Sequence, residues 1–310
     1  MKVFIYGAGR VGRALGRAIQ DHPGGELKLC GAWNRTFARA FETSRLLDVE
    51  VSAGDAVPDG LMRADVVILS VKDDVVEKTA GALARHLSHR QVLLHTSGSL
   101  PAQILDPKGI KAHMGCVHPL QALAHDDGDP RVLQGSFFAV EGDQEALACA
   151  ERVALVAGGQ PVSIASASKV YYHAAAVMAA NYQTVLMDAA CALMQEAGVD
   201  TATAVKMLVP LVSGTLSNLE ALAHAEQPPG QGRAVVARAL TGPVRRGDVG
   251  TVRKHMRAID KLAKRKPEAC ADLPALYRAL AQRATELAQQ AELPPERAQA
   301  LQKALGRASS

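Results

Sequence analysis

Lys2-Val3-Phe4-Ile5-Tyr6-Gly7-Ala8-Gly9-Arg10-Val11-Gly12 decides the fold. Five residues of buried-strand character run without a break into a G-x-G-x-x-G turn, and Ala14, Leu15, Ala18 and Ile19 continue at helical spacing. Strand, glycine turn and helix in that order form the context a dinucleotide-binding fingerprint needs. Gly7 permits the tight turn, Gly9 lets backbone approach a pyrophosphate, and Gly12 lets helix and strand pack closely. Ala8, Arg10 and Val11 complete the loop, and the phosphates are expected on free N–H groups at the helix start.

The next strand, Leu27 to Trp33, ends in Asn34-Arg35-Thr36, where such a unit places its ribose-reading residue. An acidic residue there would bind the 2′-hydroxyl of NAD. An amide, a guanidinium and a hydroxyl suit a 2′-phosphate instead, with Arg35 able to make charge-assisted bonds. The expected cofactor is therefore NADP(H).

Outward from this start, strand and helix alternate to about residue 160. Ala64–Val71 is an uninterrupted apolar run, followed by strands at Gln91–Thr96, Lys111–Val117 and Ser136–Val140, a helix over Glu145–Ala157 and a short strand at Gln160–Val162. This alternation predicts an α/β Rossmann domain with a doubly wound parallel sheet over 1–163. From 164 to 310 the texture predicts an all-α domain. Val170–Glu196 has no Pro or Gly and is rich in Ala, Met and Leu, so a helix buried nearly all round is expected. Further helices are expected near 200–224, 231–240, 246–265, 272–291 and 294–306, with a loop at 227–232.

In an open parallel sheet, ligands bind beyond the carboxyl ends of the strands. Three polar patches fall there: Ser70-Val71-Lys72, His95-Thr96-Ser97-Gly98-Ser99, and His118 before Pro119. Ser70, Val71, Lys72, Thr96, Ser97 and Gly98 are assigned to the cofactor side and His118 to chemistry. Asp73, Asp74, Ser97 and Ser99 have an alternative reading as caps or turn formers. The long helix opens with Lys169 and His173, four residues apart on one face, and Asn181 lies roughly 120° further round. Hydride transfer needs a proton donor beside the developing alkoxide, a role open to Lys169, His173 or His118. A third patch, Thr241 to Asp248, is explained largely by helix capping. A metal site built from His95, His118 and His173 lacks any close-spaced ligand pair and is set aside.

The chain has 310 residues, 48% hydrophobic, 21% charged, with a net charge of +4. Those are globular values. No segment approaches the ~20 apolar residues of a membrane span, and the strand beginning beside Met1 does not read as a signal peptide. Five scattered cysteines read as reduced thiols of a cytoplasmic protein. The basic run Arg253–Lys266 reads as a solvated helix face, which argues against nucleic-acid binding.

With G-A-G-R-V-G at 7–12, H-T-S-G-S-L at 95–100, V-H-P-L-Q at 117–121, Y-H-A-A-A-V-M-A-A-N-Y at 172–182 and L-T-G-P-V-R-R-G-D at 240–248 in view, the chain resembles Rossmann-like proteins carrying the helical domain of unknown function 2520. These stand within the wider superfamily of 6-phosphogluconate, 3-hydroxyisobutyrate and ketopantoate reductases. The resemblance implies a catalytic Lys at position 169, with His173 where that superfamily places Asn. It also implies a homodimer through the helical domains. The expected activity is NADPH-dependent reduction of a small oxo acid, ketopantoate being one named candidate. A cyclic-imine reductase and a non-catalytic NADP-binding sensor or scaffold are the alternatives.

Overall fold

The computed structural model describes residues 1–107, 109–225 and 232–306. The loop expected at 227–232 lies outside them except for Gly232, which begins a helix. Contacts within the chain divide it into two compact units, Met1–Tyr182 and Gln183–Ser310.

The first unit is built on one eight-stranded sheet: β1 (Lys2–Tyr6), β2 (Lys28–Asn34), β3 (Val51–Ala53), β4 (Val66–Leu69), β5 (Val92–His95), β6 (His113–Pro119), β7 (Phe137–Gly142) and β8 (Gln160–Ser163), in the order β3-β2-β1-β4-β5-β6-β7-β8. Every pairing is parallel except β6 with β7. That one reversal sets Cys116 directly opposite Glu141. Strand order turns outward in both directions from β1 and β4, which makes this edge the topological switch point where such sheets bind ligands.

Alternate side chains on the central strands feed two cores. Val3, Ile68, Leu94, Val117 and Val140 pack on one face with α1 (Arg10–Asp21) and, later in the chain, the helix Gln144–Val156. Phe4, Val67, Leu69 and Leu93 pack on the other, with Val76, Ala80 and Leu83. Both faces are covered, so β4 and β5 are apolar at nearly every position and were readable as parallel strands. The helices between are α2 (Phe37–Leu47), α3 (Asp59–Met62), α4 (Asp73–Leu83) and α5 (Gln144–Val156).

The long helix departs from expectation in two ways. It runs as α6 (Lys169–Ala176), a π-helical turn over Val177–Asn181, and α7 (Tyr182–Glu196). Only Lys169 and Cys191 along it are buried, while Tyr171 is 79% exposed. Its apolar side chains are not enclosed by the single chain, contrary to the burial the composition predicted. The first unit keeps α6 and the π turn, residues that the sequence assigned to the helical part.

The second unit continues with α8 (Thr201–His224), α9 (Gly232–Ala239), α10 (Gly242–Arg245), α11 (Val249–Arg265), α12 (Pro267–Cys270), α13 (Leu273–Gln290) and α14 (Pro295–Leu305). Val252, Met256, Ala281, Ala288 and Leu301 form its core. Asp248 caps α11, accepting from Thr251 N (3.0 Å) and Thr251 Oγ1 (2.6 Å), whereas Thr241, at the N-cap of α10, makes no side-chain capping bond.

Candidate active site

The glycine loop has the geometry its spacing implies. Gly7 sits at φ +93°, and a Cβ there would meet Ser70 O at 2.7 Å and the Val71 side chain at 2.6 Å. A Cβ on Gly12 would meet Gly7 O at 2.9 Å. A Cβ on Gly9 would meet nothing within 4 Å, so the loop has open space at this position. Gly9 is also the N-cap of α1 and offers the helix no side-chain hydrogen bond. The start of α1 therefore keeps donors and a positive dipole end for an anion. Ala8 is buried against β2 through its N–H to Trp33 O, and Arg10 reaches Leu123 O at 3.2 Å.

Asn34, Arg35 and Thr36 divide their work. Asn34 is buried and donates to Ala8 O (3.1 Å), pinning the glycine loop, while its Oδ1 is left with no partner. Thr36 caps α2, accepting from Arg39 N. Arg35 is exposed at the strand end. An open cradle, an uncapped helix start and an orphaned amide oxygen together fit a dinucleotide.

Further along the same sheet edge, the 95–100 loop is held by paired polar groups. His95, fully buried, accepts from Ser97 N at Nδ1 (3.1 Å), which leaves its Nε2–H to donate to Pro101 O (3.3 Å). With both nitrogens on backbone, His95 is a loop brace. Burial, with the nearby Lys169 charge, drives its pKa down to about 3. Ser97 and Ser99 both donate to Asp73 Oδ2 at the first turn of α4 (2.8 and 2.9 Å). Thr96 contacts Leu69 O, and Lys72 and Ser70 flank the α4 start.

This bracing fixes Gly98 beneath two imidazoles. A Cβ on Gly98 would lie 2.8 Å from His118 Cε1 and Nε2 and 2.9 Å from His173 Nδ1. His118 Nδ1 is 2.9 Å from Tyr172 Oη, and the His118 and His173 rings meet edge to face at 6.3 Å. His173 Nδ1 is buried with no partner. Burial, then the Lys169 charge, lower the His118 pKa to about 4, so this ring is neutral at pH 7. Burial pushes the Tyr172 phenol up to about 12.

Lys169 lies one turn before His173, but its ammonium goes elsewhere. It is 1% exposed, and Nζ meets Ser97 O at 3.3 Å, Cys116 Sγ at 2.8 Å and Glu141 Oε2 at 3.4 Å. Ser97 O and Cys116 Sγ take two of its three donors, and Glu141 Oε2 stands at ion-pair distance without a hydrogen bond of its own. Glu141 is held in turn by Ala102 N (3.0 Å) and the Ser166 hydroxyl. Asn181 is exposed at the end of the π turn. The structure thus brings His118 and His173 together, adds Tyr172, and sets Lys169 in a closed cluster beside them. Asn181 has no contact with that group among the hydrogen bonds of the described residues.

Acid should loosen this arrangement. His95 and His118 are neutral when folded, so an unfolded chain, with ordinary imidazoles near 6.5, takes up protons that the folded one refuses. Their contribution is complete above pH 6.5 and is lost as pH falls toward 4 and 3. At pH 4.5 each should cost roughly 2–3 kcal/mol. Urea midpoints at pH 7.5 and 4.5 check this; His118→Asn should show a smaller drop than the unaltered chain, and equal drops would contradict it.

Two family descriptions match the chain: a Rossmann-like domain over residues 1–122 and a domain of unknown function, DUF2520, over 136–284. No curated protein matches it. Among solved structures, similarity extends over nearly the full length. A provisionally assigned NADP oxidoreductase from Bacteroides fragilis shares 20% identity with a TM-score of 0.68, covering 92% of this chain and 98% of that one. The 1-pyrroline-5-carboxylate reductase of Streptococcus pyogenes gives 19%, 0.60, and coverage of 93% and 98%. The reductive aminase of Aspergillus terreus, in complex with NADPH and ethyl levulinate, gives 19%, 0.59, and coverage of 94% and 98%. At these identities the likeness establishes the fold: a Rossmann-like sheet domain followed by a helical region. No helix among the described residues is long and apolar enough to cross a membrane.

Tyr172, Glu141, Cys116 and the bracing role of Asp73 escaped the sequence reading. Tyr172 had a usable signal, since it adjoins His173 at the start of a helix. Glu141 and Cys116 had none, because their meeting depends on the reversed strand.

Proposed function

We propose that the chain is an NADP(H)-dependent reductase of a small-molecule C=N or C=O group. The observation that carries this reading is the run along one sheet edge: the uncapped glycine loop touches Ser70 and Val71, and α4 ties to the serine loop that floors the His118–His173–Tyr172 cluster. Bound NADPH would supply a hydride. Gly7, Gly9 and Gly12 would hold its phosphates, Arg35 its 2′-phosphate, and the neutral His118–Tyr172 pair would pass a proton to the reduced group.

Charge balance favours the imine over the oxo acid expected from the sequence. An oxo acid brings a carboxylate that needs a free cation. At this cluster the one ammonium, Lys169, is already spent on Glu141, while His118 is neutral. An uncharged hydrogen-bonding site suits an imine without a carboxylate better, and one of the similar structures is described as a reductive aminase. Following NADPH absorbance over cyclic imines, amine–ketone mixtures and 2-oxo acids tests this; turnover of oxo acids alone would overturn the imine reading, and turnover of none would overturn the enzyme.

NADPH should bind more tightly than NADH. Arg35→Ala should weaken NADPH by about 1.5–3 kcal/mol with little effect on NADH, the loss of a charged hydrogen bond. Fluorescence titration decides, and equal affinities in the unaltered chain would refute the assignment of Arg35.

A second copy of the chain is the proposed cover for the helical unit. Met207, Val209, Leu211 and Leu216 of α8 and Val185 of α7 are exposed, Leu211 by 67%. Apolar exposure of this extent marks an interface. Light scattering should give twice the chain mass at micromolar concentration, and a monomer would count against it.

A further inference from the structure

We infer that Cys116 and Lys169 form an oxidisable pair, joined under oxidising conditions by a single bridging oxygen between Sγ and Nζ. Their separation of 2.8 Å is an ordinary N–H···O distance, and sulfur is the larger atom. One bent oxygen spans such a gap with almost no movement of either side chain. Both side chains are buried, 0% and 1% exposed, and each is steered by the same Ser97 carbonyl: Sγ donates to it at 3.2 Å and Nζ at 3.3 Å. Neither atom can turn away, because the thiol sits on β6 and the ammonium is held by Glu141 on the strand paired to it.

Glu141 supplies the missing chemical element, a base. An ammonium is not a nucleophile, and Glu141 Oε2, 3.4 Å from Nζ, is placed to take its proton. The balanced step is thiol plus amine plus dioxygen giving S–O–N and one water. Sulfur and nitrogen each give up two electrons, dioxygen accepts four, the S–H bond and one N–H bond break, and S–O and O–N bonds form. Dioxygen is small and apolar enough to enter a packed interior. Reduction by two equivalents of a dithiol, four electrons in all, returns the thiol, the amine and water. Among the described residues Cys30, Cys149, Cys191 and Cys270 have no hydrogen bond to a lysine, so the product should be specific to Cys116.

Joining the pair removes the Lys169 charge from between Glu141 and Ser97 O, directly beneath the loop that carries Gly98. The consequence for turnover rests on the reductase reading; the bond itself does not. The full-length chain, held in air-saturated buffer and then compared with a dithiothreitol-treated portion, should show by intact mass a gain of one oxygen and loss of two hydrogens that the reductant reverses. Tryptic peptides should show Cys116 and Lys169 in one linked species, with cleavage after Lys169 blocked. Cys116→Ser and Lys169→Arg should each abolish the species, and Cys149→Ser should keep it. An unchanged mass, a loss of two hydrogens without oxygen, or oxidation of Cys116 with Lys169 still cleaved by trypsin would each overturn the proposal. Because mass and peptides are read without substrate, failure of the cross-link and failure of the reductase reading remain distinguishable.

Discussion

Lys169→Met is expected to lower stability by about 3–5 kcal/mol, the cost of leaving one member of a buried ion pair behind. Glu141 is nearly buried and would keep only Ala102 N and the Ser166 hydroxyl as partners. Met preserves the length and apolar stem of Lys, so packing loss is small and the charge dominates. Lys169→Met with Glu141→Gln removes both charges and should recover more than half of the loss. Urea unfolding of the two variants beside the unaltered chain measures it. A single variant within about 1 kcal/mol of the original would mean that the pair contributes little net stability, as exposed pairs do. The sequence left Lys169 as one of three candidates for the proton donor, with a structural lysine as its alternative. A buried ammonium with two hydrogen bonds and a buried carboxylate beside it makes the structural outcome the stronger one.

Tyr172→Phe is expected to lower turnover about 10²–10⁴-fold, the range for a lost general acid, with NADPH affinity unchanged. The variant removes one oxygen, 2.9 Å from His118 Nδ1, and nothing from the glycine loop. A phenol pushed up to about 12 is fully protonated at neutral pH and so always has its proton to give. His118→Asn should fall similarly, and the double variant should be little worse than either, since the two groups act as one unit. Steady-state rates with NADPH and a verified substrate decide this. Full turnover in Tyr172→Phe would return the donor role to His118 or His173.

Legibility in the sequence followed how local each cause is. Gly7, Gly9 and Gly12 act through backbone within a few residues, and their turn was readable in full. The strands at 66–69 and 92–95 were readable because burial on both faces leaves an apolar run. Strand β3 was missed, three residues being too short to show a period. The π turn was missed because Val177–Asn181 contains no Pro or Gly to mark it, and it breaks the helical phase by which Asn181 had been placed relative to Lys169. His118 and His173 were found as strand-end and helix-start polar groups. The neutral state of His118 was not, since it comes from burial by distant residues. Glu141 was invisible for the same reason: Ser136–Val140 was read as one more strand, with no hint of its direction.

The reversed strand constrains how this chain can vary. In an antiparallel pair a slip of one residue turns every side chain to the opposite face. Cys116 stands across from Glu141, and one inserted or deleted residue within 137–141 would present a neighbour such as Val140 or Gly142 instead. The segment 120–136 connecting the two strands can lengthen or shorten at small entropic cost. Tolerance to insertion should therefore change abruptly at residue 137: length changes before it leave Lys169 its counter-charge, and a single residue after it strands that lysine in the core.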